Sequence, residues 1–118
     1  FLPYLMGERS PYWNPDAKGA FIGLTLTHKK EHLIRSVLEG IAFNLKIILD
    51  AFEEQGARIE EVRVIGGGAR GRVLRQIMAD VYGRKILSLL LVEEATSLGA
   101  AIAGGIGTGI FKDFSLTG

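Results

Sequence analysis

The sequence predicts an α/β protein in which short strands alternate with helices. Strand-like apolar segments occupy residues 19–26, 62–65 and 85–92, and a helical pattern follows each of them. Alternation of this kind favours layered packing with at least partly parallel strand pairing. Three strands make a narrow sheet, so its edges are expected to be open unless chain from elsewhere covers them.

The longest predicted helix ends at Gly56, with Thr27 as its candidate N-cap. Two further helices are predicted, over residues 69–82, where Gly83 ends the pattern, and over residues 93–105, which are mostly small. In the long helix the apolar residues recur every three or four positions and form one stripe: Leu33, Ile34, Val37, Leu38, Ile41, Leu45, Ile48, Leu49 and Phe52.

Composition and charge exclude several classes of protein. Apolar residues make up 47% of the chain and charged residues 23%, which is typical of a folded globular protein and argues against general disorder. The net charge is +1 without a dense basic face, so a nucleic-acid partner is not expected. Cysteine is absent, which excludes disulfides and thiolate sites and makes a cytoplasmic location the default expectation.

Neither a membrane span nor a signal peptide is expected. The longest uncharged run, residues 95–111, contains five glycines and is too weakly apolar to span a bilayer. Residues 1–19 are rich in proline, glycine and aromatic residues and are predicted to form an ordered loop. They begin without methionine or a basic segment. This start, together with the narrow sheet, leads us to expect a piece of a longer polypeptide.

The most informative motif is the glycine-rich turn GGGARG at residues 66–71. It follows a predicted strand, opens a predicted helix and has the G-x-G-x-x-G spacing of dinucleotide-binding turns. Glycines let the backbone approach a phosphate closely, and a helix N-terminus offers N–H groups with partial positive charge. The residues alone leave two interpretations equally open: a nucleotide-binding turn, or a tight connection in which glycine only supplies a positive φ.

Four blocks of sequence carry a more specific signal because they occur in order across nearly the whole chain. They read GERSPYWNPDAKGAFIGL, LIRSVLEGIAFNLKIIL, VIGGGARGRVLRQIMADVYG and EEATSLGAAIAG. Together they resemble the C-terminal part of the FGGY family of carbohydrate kinases, with the xylulokinase branch as the nearest match. The resemblance implies the actin-like ATPase (ribonuclease H-like) fold. Residues 1–118 are then expected to form the C-terminal, ATP-binding portion of such a kinase, as a single partial domain.

The resemblance also implies an activity and a set of nucleotide-binding residues. FGGY kinases transfer a phosphoryl group from ATP to a sugar hydroxyl with magnesium, and the Gly-Gly-Gly-Ala turn matches their adenosine motif. Arg70 matches a basic residue that is common in the xylulokinase branch. Gly71 and Arg72 stand where the family often has serine or asparagine, so a side-chain contact to adenine is not expected from the resemblance. The residues expected to bind the nucleotide are Gly66, Gly67, Gly68, Ala69, Arg70 and Arg72.

No catalytic residue and no metal ligand is identified in this chain. Phosphoryl transfer needs a base for the hydroxyl proton, a magnesium site and contacts to the phosphates. The resemblance places the catalytic aspartate, the sugar pocket and most magnesium contacts upstream. We therefore expect an inactive chain that binds ATP or ADP weakly, meets its sugar substrate only through the missing N-terminal domain, and can associate with a second copy through its open sheet edge.

Two alternatives from other classes stay open on the sequence. The first is an NAD-binding segment of an oxidoreductase that uses residues 66–71. In this reading Glu93, which lies 22 residues after Gly71, would bind the ribose. The second is a structural or interaction module without a ligand, in which the glycines serve only the turn.

Overall fold

The structure, a computed structural model, describes residues 1–88 and 94–114. Its two strands pair in parallel, with Glu61 opposite Lys85 and Val64 opposite Ser88. The predicted α/β class is therefore confirmed. The elements in chain order are helix α1 (Lys30–Glu54), strand β1 (Glu61–Val64), a 3₁₀ helix (Gly67–Arg70), helix α2 (Arg72–Tyr82), strand β2 (Lys85–Ser88) and helix α3 (Ala95–Gly107).

The hydrophobic core forms where α2 packs against α1 and against the strand pair. Ala42 of α1 is completely buried, and Ile77 of α2 is 1% exposed. Met78 and Tyr82 complete this buried cluster. Partly buried apolar residues from both helices and both strands surround it: Leu38, Leu49, Val62, Val64, Leu74, Val81 and Ile86. Leu38 and Leu49 of the predicted apolar stripe therefore pack against the core, whereas Ile34, Leu45 and Phe52 of the same stripe are exposed.

Arg84 connects the end of α1 to the chain that enters β1. Its Nη2 donates to Glu53 Oε1 at 2.8 Å, and its Nε donates to the carbonyl oxygen of Ile59 at 2.7 Å. Arg84 directly follows Gly83, whose left-handed conformation (φ 61°) ends α2. One side chain thus joins the α2–β2 connection to the end of α1 and to the α1–β1 connection.

The predicted strand at residues 19–26 does not form. Ala20 makes an isolated antiparallel bridge with Leu2, and no regular strand lies in this segment. Gly23 has a φ of 76°, which is incompatible with an extended strand, and Leu26 is fully exposed. The composition suits a strand, but the described part of the chain places no partner strand beside it.

The start of α1 also differs from the sequence prediction. Lys29 is the N-cap, and its N–H donates to His32 Nδ1 at 3.1 Å. The hydroxyl of Thr27 instead lies 2.8 Å from the hydroxyl of Thr25, in the turn that precedes the helix. Thr27 therefore lies before the N-cap, and its hydroxyl bonds within the preceding turn instead of capping the helix.

Part of the predicted third strand lies outside the described residues. Strand β2 covers residues 85–88 of the predicted 85–92, and residues 89–93 are not described, so Glu93 is outside as well. Helix α3 corresponds to the predicted helix over residues 93–105. Within the described ranges, no helix combines the length and apolar character needed to cross a bilayer.

The chain is elongated and exposes much apolar surface. Its radius of gyration is 17.7 Å, whereas a compact chain of this length would have roughly 13–14 Å. Its extents are 62 × 29 × 26 Å. Large apolar side chains far from the core are exposed, among them Met6, Trp13, Ile22, Leu26 and Ile110. The buried core is therefore small relative to the apolar content of the sequence.

Replacement of Tyr82 by phenylalanine is expected to stabilise the chain and to change its alkaline pH dependence. The Tyr82 hydroxyl is buried without a hydrogen-bond partner among the described residues. Burial raises the pKa of this hydroxyl above its usual value of 10.0. Above about pH 10 the unfolded state therefore ionises first, and the free energy of unfolding of the wild type falls as pH rises.

Urea unfolding of Tyr82→Phe, followed from pH 7 to pH 11, checks this expectation. The variant should gain about 1 kcal/mol at pH 7 and lose less stability than the wild type above pH 10. Tyr12→Phe is the control because Tyr12 is 67% exposed. Parallel alkaline curves for wild type and Tyr82→Phe would contradict the expectation.

Candidate functional site

The glycine turn connects β1 to α2 through a backbone geometry that needs glycine at its first position. Gly66 has φ 81° and ψ 177°, a region essentially closed to residues with a Cβ. The chain then forms the short 3₁₀ helix, in which the Ala69 N–H donates to the Gly66 carbonyl at 3.0 Å. Gly71 N–H donates to the Gly68 carbonyl at 3.3 Å, and α2 begins at the next residue.

The outer side of this turn is open. Gly66, Gly67 and Gly68 are all exposed, and a Cβ at Gly66 or Gly67 would have no atom within 4 Å. A Cβ at Gly68 would meet only the Leu74 side chain, at 3.5 Å. Within the described residues, the N–H groups of Gly67 and Gly68 donate to no backbone acceptor. The turn therefore presents accessible donors to an approaching anion.

Ala69 faces the opposite way, towards the protein. It is 4% exposed, so this residue can offer only backbone atoms to a ligand. Its carbonyl oxygen accepts a hydrogen bond from Nη1 of Arg75, which lies one turn into α2. No signal in the sequence indicates this role of Arg75. An arginine in an amphipathic helix looks the same in the sequence whether its side chain bonds to a carbonyl of the preceding turn or extends into solvent.

Two arginines lie beside the open side of the turn. Arg70 is the last residue of the 3₁₀ helix and Arg72 is the first residue of α2, and both are exposed. Arg72 and Arg75 also line a shallow depression of about 230 Å³. The first turns of the 3₁₀ helix and of α2 contain no acidic residue. The local charge therefore favours an anionic group.

The structure thus brings the six predicted residues together on one connection. The three glycines and the two arginines lie on its exposed surface, and Ala69 lies beneath them. The described residues contain no cluster of three or more His, Asp or Glu side chains able to hold a metal ion. Magnesium is therefore not assigned to any of the described residues.

The chain has clear relatives. The family described as FGGY family of carbohydrate kinases, C-terminal domain, matches residues 1–108. The chain belongs to the FGGY family of carbohydrate kinases. A gluconokinase of Bacillus subtilis (strain 168) is 43% identical over 115 residues, which are 97% of this FGGY chain and 22% of that protein.

Solved structures agree with this FGGY assignment. The ligand-bound xylulose kinase of Lactobacillus acidophilus superposes with a TM-score of 0.82 at 32% identity, over 95% of this chain and 23% of that one. The glycerol kinase of Plasmodium falciparum, solved with ADP, gives a TM-score of 0.78 at 33% identity, over 94% and 22% of the two chains. The chain therefore spans less than a quarter of the length of these relatives.

These findings confirm the family and the actin-like ATPase fold of its C-terminal domain, which the four sequence blocks indicate. Relatives named for gluconate, xylulose and glycerol match this FGGY chain to similar degrees. Membership in a carbohydrate kinase family favours the kinase interpretation over the NAD-binding alternative. The names of these relatives refer to several different substrates, of which xylulose is one.

Replacement of Gly66 by alanine is expected to destabilise the fold, whereas the same change at Gly67 is not. An alanine at Gly66 must adopt a φ near 81° and should cost about 1–3 kcal/mol of unfolding free energy. Gly67 also faces open space but lacks a positive φ, so Gly67→Ala should change stability by less than about 1 kcal/mol. Urea unfolding of both variants measures the difference. Equal losses of stability would contradict the requirement for glycine at position 66.

Proposed function

We propose that this FGGY chain binds the adenosine portion of ATP or ADP at residues 66–69. In the longer enzyme, ATP would donate a phosphoryl group to a sugar hydroxyl. Residues 1–118 would then form one partial domain that supplies one wall of the nucleotide cleft. The use of ATP also suits the cytoplasmic location expected from the sequence.

The observation that carries this proposal is the open face of the glycine turn. The N–H groups of Gly67 and Gly68 donate to no backbone acceptor within the described residues, and a Cβ at Gly67 would meet no atom within 4 Å. The ribose-phosphate part of a nucleotide could therefore approach the backbone closely. The bond from Arg75 to the Ala69 carbonyl holds the turn against α2. A donor group that is positioned in advance loses less entropy when the ligand binds.

The arginines beside the turn support phosphate binding. Arg70 and Arg72 would place positive charge near the phosphates of the nucleotide. Neither side chain is assigned a contact with the adenine ring. Magnesium, when bound in the complete enzyme, would neutralise charge on the β- and γ-phosphates. This chain's own part is to hold and orient the nucleotide. Because the family resemblance places the catalytic aspartate and the sugar pocket upstream, we propose that the chain alone is inactive.

Nucleotide titration of the isotope-labelled chain, monitored by amide NMR, tests the binding site. ADP and ATP should shift the amides of residues 66–72 with a Kd on the order of millimolar, and NADH should not bind more tightly. Gly67→Leu should weaken ADP binding about tenfold or more, because its side chain would occupy the open face.

Gly99→Leu is the matched control. Gly99 also faces open space and also lacks a positive φ, but it lies in α3. ADP binding to this variant should equal that of the wild type. Preferential NADH shifts would instead favour an oxidoreductase segment, and the absence of shifts with every nucleotide would favour a module without a ligand.

For the longer enzyme we propose a pentulose, specifically xylulose, as the phosphoryl acceptor. The support is the resemblance of the four sequence blocks to the xylulokinase branch and the likeness to a xylulose kinase structure. A coupled assay of the complete polypeptide should give a higher kcat/KM with D-xylulose than with gluconate or glycerol. A preference for gluconate or glycerol would refute the assignment of the sugar and leave nucleotide binding untouched.

A further inference from the structure

A second concave surface lies between the N-terminal segment and α1 and shares no residue with the glycine turn. We call it the Glu8 groove; its volume is about 350 Å³. Its aliphatic walls are formed by Pro3, Ile41, Leu45 and Ile48. Its polar members include Glu8 and Asn44, with Arg9 and Ser10 also lining it.

Glu8 is buried in this groove with one carboxylate oxygen unsatisfied. The residue is 6% exposed, which is unusual for an acidic side chain. Its Oε2 accepts the N–H of Tyr12 at 3.0 Å. Its Oε1 is buried and accepts no hydrogen bond from the described residues. A buried carboxylate in this condition is costly unless a positively charged donor reaches it.

Asn44 presents a second unsatisfied oxygen on the α1 side of the same groove. Its Oδ1 is buried and has no hydrogen-bond partner within the part of the chain that is described. Buried polar atoms are nearly always hydrogen-bonded in folded proteins, so two orphan acceptors in one groove need an explanation. Both atoms accept hydrogen bonds, and therefore the missing group is a donor.

The surroundings of the two oxygens indicate which cationic group could bind them. Calcium would need six to eight oxygen ligands, and two orphan oxygens are too few. The aliphatic walls instead match the methylene stem of a lysine-like or arginine-like group, which buries its stem and places its charge at a polar end. Arg9 is exposed and also lines the groove, but among the described residues it forms no ion pair with Glu8.

We propose that the Glu8 groove binds an ammonium or guanidinium group on an aliphatic stem, with Glu8 Oε1 and Asn44 Oδ1 as its acceptors. Two sources share this chemistry. One is a lysine or arginine side chain from polypeptide outside the 118 residues, and the other is a free alkyl amine or guanidine. The length of the family relatives makes the first source available, because this chain spans less than a quarter of them.

Titration with butylammonium and butylguanidinium chloride, monitored by amide NMR at constant ionic strength, tests the proposal. The Tyr12 amide and the amides of residues 41–48 should shift, because Tyr12 donates to the other oxygen of the same carboxylate. Butanol, which has the stem without the charge, should bind at least tenfold more weakly. Equal binding of butanol, or no shift with either cation, would overturn the proposal.

Two variants separate the roles of the acceptors. Glu8→Gln should weaken cation binding roughly tenfold or more, whereas Glu31→Gln, on the exposed first turn of α1, should have no effect. Asn44→Leu should weaken cation binding about fivefold and at the same time raise the Tm of the free chain, because it removes a buried unsatisfied oxygen. Unchanged cation affinity in Asn44→Leu would contradict the site even if Glu8→Gln failed to fold.

Calorimetry on the complete polypeptide distinguishes the two sources. If another segment's lysine or arginine fills the groove, the probes should bind the 118-residue chain and not the complete polypeptide. If the groove takes a free ligand, they should bind both. The Gly67→Leu variant, which should bind nucleotide weakly, should bind butylammonium and butylguanidinium as tightly as the wild type. Failure of one proposed site can therefore be distinguished from failure of the other.

Discussion

The contact between α1 and α2 is the constraint on which the rest of the structure depends. A completely buried alanine, Ala42, lets Ile77 and its neighbours approach α1 closely. The strand pair covers another side of α2, so this helix is the shared element of the core. Since α2 begins directly after the glycine turn, its burial also determines where the turn and its N–H groups lie.

The turn itself combines a backbone conformation that only glycine adopts readily with a side-chain bond from the helix that follows. Gly66 occupies a conformation that excludes other residues, and Arg75 reaches back from α2 to the Ala69 carbonyl. Both features act on the backbone, and neither places a side chain over Gly67. A rigid connection with an empty outer face is well suited to a ligand that is recognised through backbone atoms.

Sequence patterns predicted the features that depend on local chemistry. Apolar periodicity located α1 and α2, a run of small residues located α3, and glycine marked the ends of α1 and α2. The segment at residues 19–26 failed as a strand because pairing depends on a distant partner, which composition cannot reveal. The burial of Glu8 was equally out of reach, since it arises from the path of the N-terminal loop across α1. The glycine spacing located the turn, whereas the resemblance to a family favoured nucleotide binding over a purely structural turn.

The elongated shape has a practical consequence for measuring how many copies associate. A molecule 62 Å long and under 30 Å across diffuses more slowly than a sphere of the same mass. On a gel-filtration column it would elute ahead of compact standards of 12.8 kDa, and a single copy would resemble a pair. Light scattering or sedimentation equilibrium, which report mass independently of shape, are the methods suited to this chain.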